Sequence, residues 1–550
     1  MHIPYYNTNN NFQTAFSVRN TTSDYKALKV RLRESGNSND VLDFNVYMSP
    51  QDVFTFTVTA DGVNSPRLST DDKTCTFPAI PAGGVPLKGD VYKATSVVDA
   101  REGYVEIIEM GVIDSTVTLT TATTNVSAGG TVVSGLLHDS TGTPKDCGVI
   151  AQALADGVWT RGGSVSSVAP TTIAYHATNA SPAGFFTPTG GLSGSSILLD
   201  LANGAAFVAD PIALVNYAAN HTTAVSGSTA AGVNVTYPGT TAASSGNGAQ
   251  YYLPNDKDYF LLPSLASGNV NTSEVAADNG MATLVTTWST VKSDWGLADP
   301  NAVFVNDDNG PASGVNTFPV AHALAATSVI NQYFIDPTFD GATDWVVTFP
   351  MRKHGIYNGY HYDGGTSAFY TYKGVGVTGT TGGVTLAVDD DVTFTQTDAF
   401  YDREEQAPIA GTDFSPVVSG GNVQLEREVN ILSFTNSDNA TNKVLGSTFA
   451  DSFTLESGFV AGWAQLALNN SGNYDLDPSN SHWSGWVLNS AAVNAKIQSA
   501  AGAFATDVPA SSEVGVPMIG FAAIRGNTGD NTKNVGETIP HAYVRSRGSL

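Results

Sequence analysis

The densest group of side chains able to bind a transition metal lies in residues 351–364. Asn358-Gly359 is typical of a type I′ hairpin turn, which would pair His354 with Asp363 and bring His361 onto the same face. Diagonal neighbours on such a face lie about 7–8 Å apart. Two imidazoles and a carboxylate suit a divalent transition metal. The same pattern also allows a plain polar hairpin face on which His354 pairs with Asp363.

Acidic clusters offer oxygen ligands for calcium in three segments. Calcium binds roughly six to eight oxygens from carboxylates, amides and backbone carbonyls on loops. Solvated acidic turns have the same composition, and none of the segments has the full spacing of an EF-hand loop. The sequence predicts at least one calcium ion in this set and no other cofactor. The candidate ligands are Asp307, Asp308, Asp389, Asp390, Asp391, Asp475 and Asp477.

The motifs of common enzyme classes are absent from the sequence. Gly191 to Ser195 reads GLSGS and lacks the last glycine of a nucleophile elbow. No phosphate-binding GxxxxGK[ST], zinc-binding HExxH or redox CxxC motif occurs. The best carboxylate pair is Asp402 with Glu404, for which a structural charge ladder or a cation site competes with catalysis. The sequence therefore predicts a protein that is not an enzyme.

The charge balance excludes partners that are bound through bulk positive charge. The chain carries 25 Lys and Arg against 50 Asp and Glu, a formal net charge of −25. Nucleic acids and anionic membranes repel such a chain. Hydrophobic residues make up 41% of the sequence, which is enough to build a folded core.

The two cysteines indicate an extracellular protein. Cys75 and Cys147 enclose about 70 residues, and a disulfide closing that loop would stabilise the fold by about 4 kcal/mol. Spacing alone also allows two unrelated buried thiols. The N-terminal residues lack the features of an export signal, so we expect a signal peptide that this sequence does not include. No apolar run reaches the roughly 18 residues of a membrane span.

Alternating hydrophobicity predicts an antiparallel β-sandwich or barrel with a few short helices. Runs around Leu28 to Leu32, Leu42 to Met48 and Phe54 to Val58 have the period of strands, with turn residues between them. We expect these consecutive strands to pair, with one buried face and one wet face. The wet face would carry Lys29, Arg31 and Arg33 beside Asp43 and Asn45. Further strands are predicted over Tyr104 to Met110, Thr116 to Thr121, Trp345 to Phe349 and Val392 to Thr397.

Changes in composition suggest three regions. Residues 1–150 would form a β-sandwich that contains the disulfide, 151–400 a β-rich middle region, and 401–550 a β-rich C-terminal region. A Thr/Ala/Gly-rich arm is expected over 222–250. Apolar residues at helical spacing predict one amphipathic helix over 320–335, and an alanine-rich segment predicts another over Ser490 to Phe504.

Four phrases resemble an uncharacterised family of secreted proteobacterial cell-surface proteins. They are ALKVRLRESGNSNDVLD from Ala27, CTFPAIPAGG from Cys75, ATDWVVTFP from Ala342 and YDREEQ from Tyr401. The resemblance implies export through a signal peptide and a mature N-terminus near Ile3. It implies no activity.

These features favour a structural protein of the cell surface that assembles with itself into a lattice or filament. Basic side chains near the two ends, Lys29, Arg31 and Arg33 with Arg545 and Arg547, would contact the acidic body of the next copy head to tail. Local pairing with Asp43 and Glu34 is the alternative for the first three. A second hypothesis is an adhesin or carbohydrate-binding protein that uses Trp483 and Trp486 as a ligand platform with Trp463. A secreted hydrolase is third.

Overall fold

The computed structural model describes residues 1–36, 40–87, 97–156, 158, 161–162, 172–173, 184–186, 189–213, 223–224, 249–250, 324–350, 377–381, 384–388, 392–395, 400–404, 422–425, 427–436, 443–455, 457–469, 516–527 and 534–544. Strands dominate these residues and pair mostly antiparallel, and the helices are short. The prediction of a mainly β, sandwich-type fold is confirmed.

The N-terminal part contains fourteen strands and the two α-helices. The strands are β1 (His2–Asn7), β2 (Phe12–Asn20), β3 (Lys26–Glu34), β4 (Asp40–Met48), β5 (Val53–Asp61), β6 (Asn64–Ser69), β7 (Cys75–Phe77), β8 (Val85–Pro86), β9 (Glu102–Ile113), β10 (Arg161–Gly162), β11 (Thr172–Ile173), β12 (Phe185–Phe186), β13 (Leu192–Asp200) and β14 (Ala205–Ala209). The helices are α1 (Val133–Leu136) and α2 (Gly148–Ala155), and a 3-10 turn spans Asp99–Arg101.

The C-terminal part is built from the remaining strands and one 3-10 turn, Pro337–Phe339. The strands are β15 (Thr223–Ala224), β16 (Ala249–Gln250), β17 (Ala325–Ala326), β18 (Ser328–Phe334), β19 (Ala342–Thr348), β20 (Val377–Thr381), β21 (Val384–Val388), β22 (Val392–Thr395), β23 (Phe400–Asp402), β24 (Asn422–Leu425), β25 (Val429–Asn436), β26 (Ala450–Leu455), β27 (Ala461–Asn469), β28 (Val516–Pro517), β29 (Ile519–Asn527), β30 (Asn534–Pro540) and β31 (Ala542–Val544).

Four large sheets form two sandwiches. In the first sandwich, sheet I has the order β1-β9-β3-β4-β7 with β12 beside β9, and sheet II has the order β14-β13-β2-β5-β6-β8. In the second, sheet III has the order β24-β22-β27-β18-β31 with β23 beside β27, and sheet IV has the order β26-β25-β19-β29-β30. Each pair of sheets encloses an apolar core, centred on Phe16, Phe44 and Phe56 in the first sandwich and on Trp345 and Phe434 in the second.

The two sandwiches share one strand order. Sheet II reads β14-β13-β2-β5 where sheet IV reads β30-β29-β19-β25, and sheet I reads β1-β9-β3-β4 where sheet III reads β18-β27-β22-β24. Local contacts repeat as well, because the Thr14 hydroxyl bonds the backbone of Asn7 and the Thr343 hydroxyl bonds that of Phe334 in the same way. The outer strands differ, since β5 pairs antiparallel with β6 but β25 pairs parallel with β26. The chain therefore contains two related sandwiches in tandem.

A glycine marks the same place in both sandwiches. Tyr6 on β1 lies opposite Gly103 on β9, and Tyr333 on β18 lies opposite Gly462 on β27. A Cβ on either glycine would lie 1.9 Å from a carbonyl oxygen of the adjacent strand. Only glycine fits at these two positions, so they are equivalent and allow the residues of the two sandwiches to be aligned with each other.

The predicted region boundaries do not coincide with these sandwiches. Strands β13 and β14 lie after residue 150 but pair with β2 and with each other in sheet II. Strand β19 lies before residue 400 but pairs with β25 and β29 in sheet IV. The first sandwich thus extends to Ala209, and the second begins near Ala325.

Several predicted strands are confirmed. β3, β4, β5, β9, β19 and β22 all coincide with the alternating runs, and β3 pairs antiparallel with β4. The expected pairing of β4 with β5 is wrong, because β5 crosses to sheet II and pairs with β2 and β6. The predicted strand over Thr116 to Thr121 is also wrong, since that segment makes only an isolated bridge from Thr118 to Thr131.

The predicted helix over 320–335 is wrong in its described part, where Ala325–Ala326 and Ser328–Phe334 are strands. The helical spacing of Val329, Ile330 and Tyr333 is outweighed by the β-branched and aromatic composition, which suits a paired strand. Val329 and Tyr333 face the core, whereas Gln332 is exposed. The predicted helix over Ser490 to Phe504 and most of the 222–250 arm lie outside the described residues.

The predicted disulfide between Cys75 and Cys147 is confirmed. Cys75 begins β7, and Cys147 immediately precedes α2, with a Cα–Cα distance of 5.3 Å. The bond ties the segment that carries α1 and α2 to sheet I. That segment buries Val117, Leu136 and Ile150 in a small core of its own beside Tyr47.

Candidate functional site

The candidate functional site in the described residues is the junction between the two sandwiches. The face of sheet IV that points away from its own core carries Val346, Ile431 and Phe521, which are neighbours across three strands. All three are buried in one cluster with side chains of the first sandwich. Those partners are Tyr5, Phe12, Tyr104, Leu198, Ala205, Phe207 and Ala209. The first sandwich therefore covers a sheet face that an isolated second sandwich would expose.

Hydrogen bonds, all of them buried except that of Asn10, fix the register of the junction at the turn between β1 and β2. The Asp344 carboxylate accepts from the backbone N–H groups of Val444 (3.0 Å) and Leu445 (2.7 Å). The Asn7 side-chain amide donates to the Leu445 carbonyl at 2.7 Å, and that of Asn10 donates to the Gly446 carbonyl at 2.8 Å. Directional bonds of this kind specify one geometry, because leaving any of these buried groups unpaired would cost free energy.

Glu102 forms a second polar contact across the junction. Its buried carboxylate accepts from the hydroxyls of Tyr5 (2.7 Å) and Ser447 (2.8 Å). Burial raises the pKa of Glu102, and burial likewise raises the pKa of Asp344. Two carboxyl groups thus lie in a region that excludes water. Glu102 is held by one donor from each sandwich, whereas Asp344 is held by two backbone donors of its own sandwich.

Arg427 completes the junction on its partly exposed side. Its guanidinium pairs with Asp99, donates to the Ser35 hydroxyl at 2.9 Å and lies 3.6 Å from the centroid of the Phe449 ring. The backbone N–H of Val429 donates to the Ser35 carbonyl at 3.0 Å. Ionic, cation–π and backbone contacts therefore join the end of β3 to the start of β25.

The neighbouring edges of sheets II and IV also meet. The Thr538 hydroxyl on β30 donates to the Val208 carbonyl on β14, and the Asn534 amide donates to the Asn203 carbonyl. Further along, the hydroxyls of Thr348 and Tyr104 donate to the carbonyls of Pro4 (2.7 Å) and Pro350 (3.3 Å). The apolar cluster and these bonds together bind the sandwiches into one block.

Sheet I carries a ladder of ion pairs on its outer face. Lys26 pairs with Glu109 at 2.6 Å, Lys29 with Asp43 at 2.5 Å, and Arg33 with Glu106 at 2.7 Å. The predicted solvent exposure of Lys29, Arg31 and Arg33 is wrong, because all three are buried. Basic residues that alternate with apolar ones give the same sequence pattern in two cases. Their face of the strand can contact water, or it can contact carboxylates on the adjacent strands. These side chains therefore do not supply the exposed basic surface that the predicted head-to-tail contact requires.

An exposed group of apolar side chains lies on the second sandwich. Trp463 is 37% exposed and stacks on Tyr401, with ring centroids 4.5 Å apart and planes 19° apart. Gln332 lies opposite Trp463 in sheet III, and Phe334 follows on the same face. Phe339 lies 6.1 Å from Phe334, centroid to centroid. We call these residues, together with the exposed Val535 of β30, the aromatic patch.

The other predicted site residues fall mostly outside the described part of the chain. These are the calcium candidates Asp307, Asp308, Asp389, Asp390, Asp391, Asp475 and Asp477, the metal candidates His354, His361 and Asp363, the basic residues Arg545 and Arg547, and the platform residues Trp483 and Trp486. Asp402 accepts from the Glu404 backbone N–H at 2.9 Å, which places this acidic pair in a local turn. Within the described ranges, no three His, Cys, Asp or Glu side chains are grouped to hold a metal ion.

Sequence reasoning missed the junction, although one signal for it is present. Trp345, Val346 and Val347 are a continuous apolar run, which is typical of a strand that is buried on both faces. The contacts of Asp344, Glu102 and Asn7 leave no comparable signal, because each joins residues 100 or more positions apart in the chain.

Comparison with known proteins gives no match to a protein-family model, to a curated protein or to a solved structure. The resemblance to secreted proteobacterial surface proteins stays a prediction. In the residues that the structure describes, no helix is long and apolar enough to cross a membrane.

Proposed function

We propose that this chain is a structural, non-enzymatic subunit that assembles with copies of itself outside the cell, as a surface lattice or a filament. Its export through a signal peptide and its stabilisation by calcium belong to the same proposal. The observation that carries it is the junction, where one sandwich of the chain binds a second sandwich of the same strand order. Because this fold already packs against a second sandwich of the same strand order, one further surface of that type would let copies of the chain join end to end.

Composition and covalent structure are consistent with this role. The disulfide suits an oxidising environment. A net charge of −25 keeps subunits soluble and apart until cations screen or bridge them. Acidic side chains on neighbouring copies would then share calcium, which is the predicted role of the acidic segments.

Negative-stain electron microscopy of the purified full chain tests the proposal. Samples are compared in calcium, in magnesium at equal ionic strength, and in chelator. We expect ordered sheets or filaments with calcium and shorter ones with chelator. Isolated single particles at every concentration and in every cation would contradict self-assembly, and equal order in calcium and chelator would remove calcium from the proposal.

A second function is supported by the aromatic patch. Trp463 stacked on Tyr401, beside the polar Gln332, is a surface on which a sugar ring stacks. An adhesin or carbohydrate-binding protein would use it in this way. Binding of the full chain to a glycan array, repeated with Trp463→Ala, tests this alternative. Glycan binding that is lost in Trp463→Ala would favour adhesion. No glycan binding by the wild-type chain would leave self-assembly as the better proposal.

A further inference from the structure

We infer that the aromatic patch docks on the outer face of sheet II of a second copy of this chain, in a head-to-tail contact that imitates the junction. This inference rests on the proposed function and names the surfaces through which copies assemble. It depends on the register between the two sandwiches, on the exposure of the patch and on the character of the receiving sheet.

The residues of the aromatic patch, on the second sandwich, are equivalent to the residues by which the first sandwich binds the second. Trp463 follows Gly462 as Tyr104 follows Gly103, so these rings are equivalent. The turn contacts of Thr14 and Thr343 make Phe334 equivalent to Asn7. Tyr104 and Asn7 are fully buried at the junction, whereas Trp463 and Phe334 are not buried.

The outermost hairpins extend the same correspondence. Ala205 pairs with Asp200 at the end of β13, and Val535 pairs with Gly526 at the end of β29. Ala205 is buried in the junction cluster, but Val535 is 65% exposed. The second sandwich therefore presents the equivalent docking surface, with Trp463 and Val535 exposed and with Glu537 at the position of Phe207, and no sandwich covers it among the described residues.

The patch is continuous across the corner between sheets III and IV. A Cβ placed on Gly526 would lie 3.6 Å from the Phe334 ring and 3.7 Å from the Phe339 carbonyl oxygen. Val535, opposite Gly526, therefore lies on the same surface as the two phenylalanines. Phe339 is 47% exposed. Exposed rings and an isopropyl group gathered on one surface are typical of a protein interface.

The receiving surface follows from what the first sandwich covers. At the junction it covers the outer face of sheet IV, at Val346 and Ala523. The equivalent positions in sheet II are Ser17 on β2 and Ile197 on β13, which lie opposite Ser195 and Ala15 and are partly exposed. Val53 and Val208 lie further out in the same sheet and are exposed. This face is uncharged near its centre, so it can receive apolar rings without stranding an ion.

The occupant is a second copy because the two surfaces lie on different sandwiches of one chain. The junction already fixes those sandwiches against each other, with β14 beside β30. Contact between the aromatic patch and sheet II therefore joins separate copies. A row of such copies has an unbound patch at one end and an unbound sheet II face at the other, as in a heterologous assembly. Ser17 is smaller and more polar than Val346, so we expect this contact to be weaker than the junction and reversible.

Sedimentation velocity on three full-length variants tests the inference. Val535→Asp places a negative charge in the patch, and Ile197→Asp places one on sheet II, so the two altered surfaces repel each other. Val63→Asp is the matched control, because Val63 is 87% exposed at the tip of the β5–β6 hairpin, away from both surfaces. Thermal melting of each variant confirms folding, and Phe339→Ser replaces Val535→Asp if the latter melts early.

We expect the wild type and Val63→Asp to polymerise alike, and each of the other two variants to lose at least about tenfold in association constant. An equimolar mixture of Val535→Asp and Ile197→Asp retains one good patch and one good sheet face, so it should stop at a 1:1 dimer. This complementation is the signature of a head-to-tail contact.

Other outcomes separate this inference from the proposed function. If Val535→Asp polymerises like the wild type, or if Ile197→Asp alone forms a dimer, assembly stands but the contact inferred here is wrong. If the wild type stays monomeric under all conditions, both fail. A monomeric wild type that binds glycans through Trp463 would also overturn both, in favour of adhesion.

Discussion

Tyr104 and Trp463 hold equivalent positions in the two sandwiches and have opposite exposures. Each follows the glycine that lies opposite a tyrosine of the neighbouring strand. Tyr104 is fully buried against the second sandwich, whereas Trp463 is 37% exposed. The second sandwich thus covers Tyr104, whereas Trp463 stacks on Tyr401 at an exposed surface, which we propose another chain covers.

The two rings should differ sharply in their effect on stability. Tyr104→Ala removes a buried ring and its bond to the Pro350 carbonyl, so we expect the free energy of unfolding to fall by about 3–5 kcal/mol. Trp463→Ala removes a partly exposed ring and should cost under about 1 kcal/mol. Urea unfolding followed by circular dichroism measures both. Similar losses for the two variants would mean that the junction does not stabilise the chain as described.

The ion pair of Arg33 with Glu106 should behave as a buried pair. Removing one partner strands the other charge, so Arg33→Leu alone should destabilise the fold by about 3–5 kcal/mol. The double variant Arg33→Leu/Glu106→Leu leaves neither charge buried and should be more stable than the single one. Urea unfolding of the four chains of this cycle gives the comparison. A double variant less stable than Arg33→Leu would speak against a dry, paired environment.

His541 should make the fold sensitive to acid. Its Nε2–H donates to the Val346 carbonyl at 3.0 Å and its Nδ1 accepts from the Asn331 amide at 2.7 Å, so the neutral ring satisfies both partners. Burial lowers the pKa of His541 to about 3. The unfolded chain binds this proton below about pH 6.5 and the folded chain does not, so this contribution is present above pH 6.5 and is lost on acidification.

The expected size is about 1.4 kcal/mol for each pH unit between roughly 6.5 and 3. The difference in unfolding free energy between wild type and His541→Gln separates the contribution of His541 from the contributions of Glu102 and Asp344. Burial raises the pKa of both carboxyls, which acts with the opposite sign. A wild-type minus variant difference that does not change with pH would show that His541 titrates normally.

The disulfide should stabilise the segment that carries the helices. Replacing Cys75 and Cys147 together by serine opens a loop closed over 72 positions, and we expect a loss of about 4 kcal/mol. Limited proteolysis should then cut first between residues 114 and 156, in the segment that the bond ties to sheet I. Unchanged cleavage and an unchanged melting temperature would show that the small core around Leu136 holds this segment without the bond.

The sequence predicts the strands well where one strand shows its own pattern. Leu28, Val30 and Leu32 alternate with Lys29 and Arg31, and the strand is present. The same alternation fails to predict that the charged face is buried and paired, because the carboxylates of Asp43 and Glu106 come from neighbouring strands. The helix expected over 320–335 failed for a related reason, since β18 is held by its pairing with β27 and β31.

The apolar run from Trp345 to Val347 is a sequence signal for the junction, but the polar contacts of the junction and the aromatic patch leave no such signal. Glu102 meets Ser447, and Asn7 meets Leu445, only because two sandwiches fold and dock. Trp463 was singled out as part of a ligand platform, but its neighbours were expected to be other tryptophans. Tyr401 stacks on it because β23 pairs with β27 in register, and Trp483 and Trp486 lie outside the described residues.

Cryo-electron microscopy of assemblies of the wild-type chain reports directly on whether copies join as the sandwiches do. We expect Trp463, Phe339 and Val535 of each copy to be buried against sheet II of the next, with Ile197 in the contact. An ordered assembly in which Trp463 faces solvent in every copy, with the subunits joined elsewhere, would contradict this arrangement.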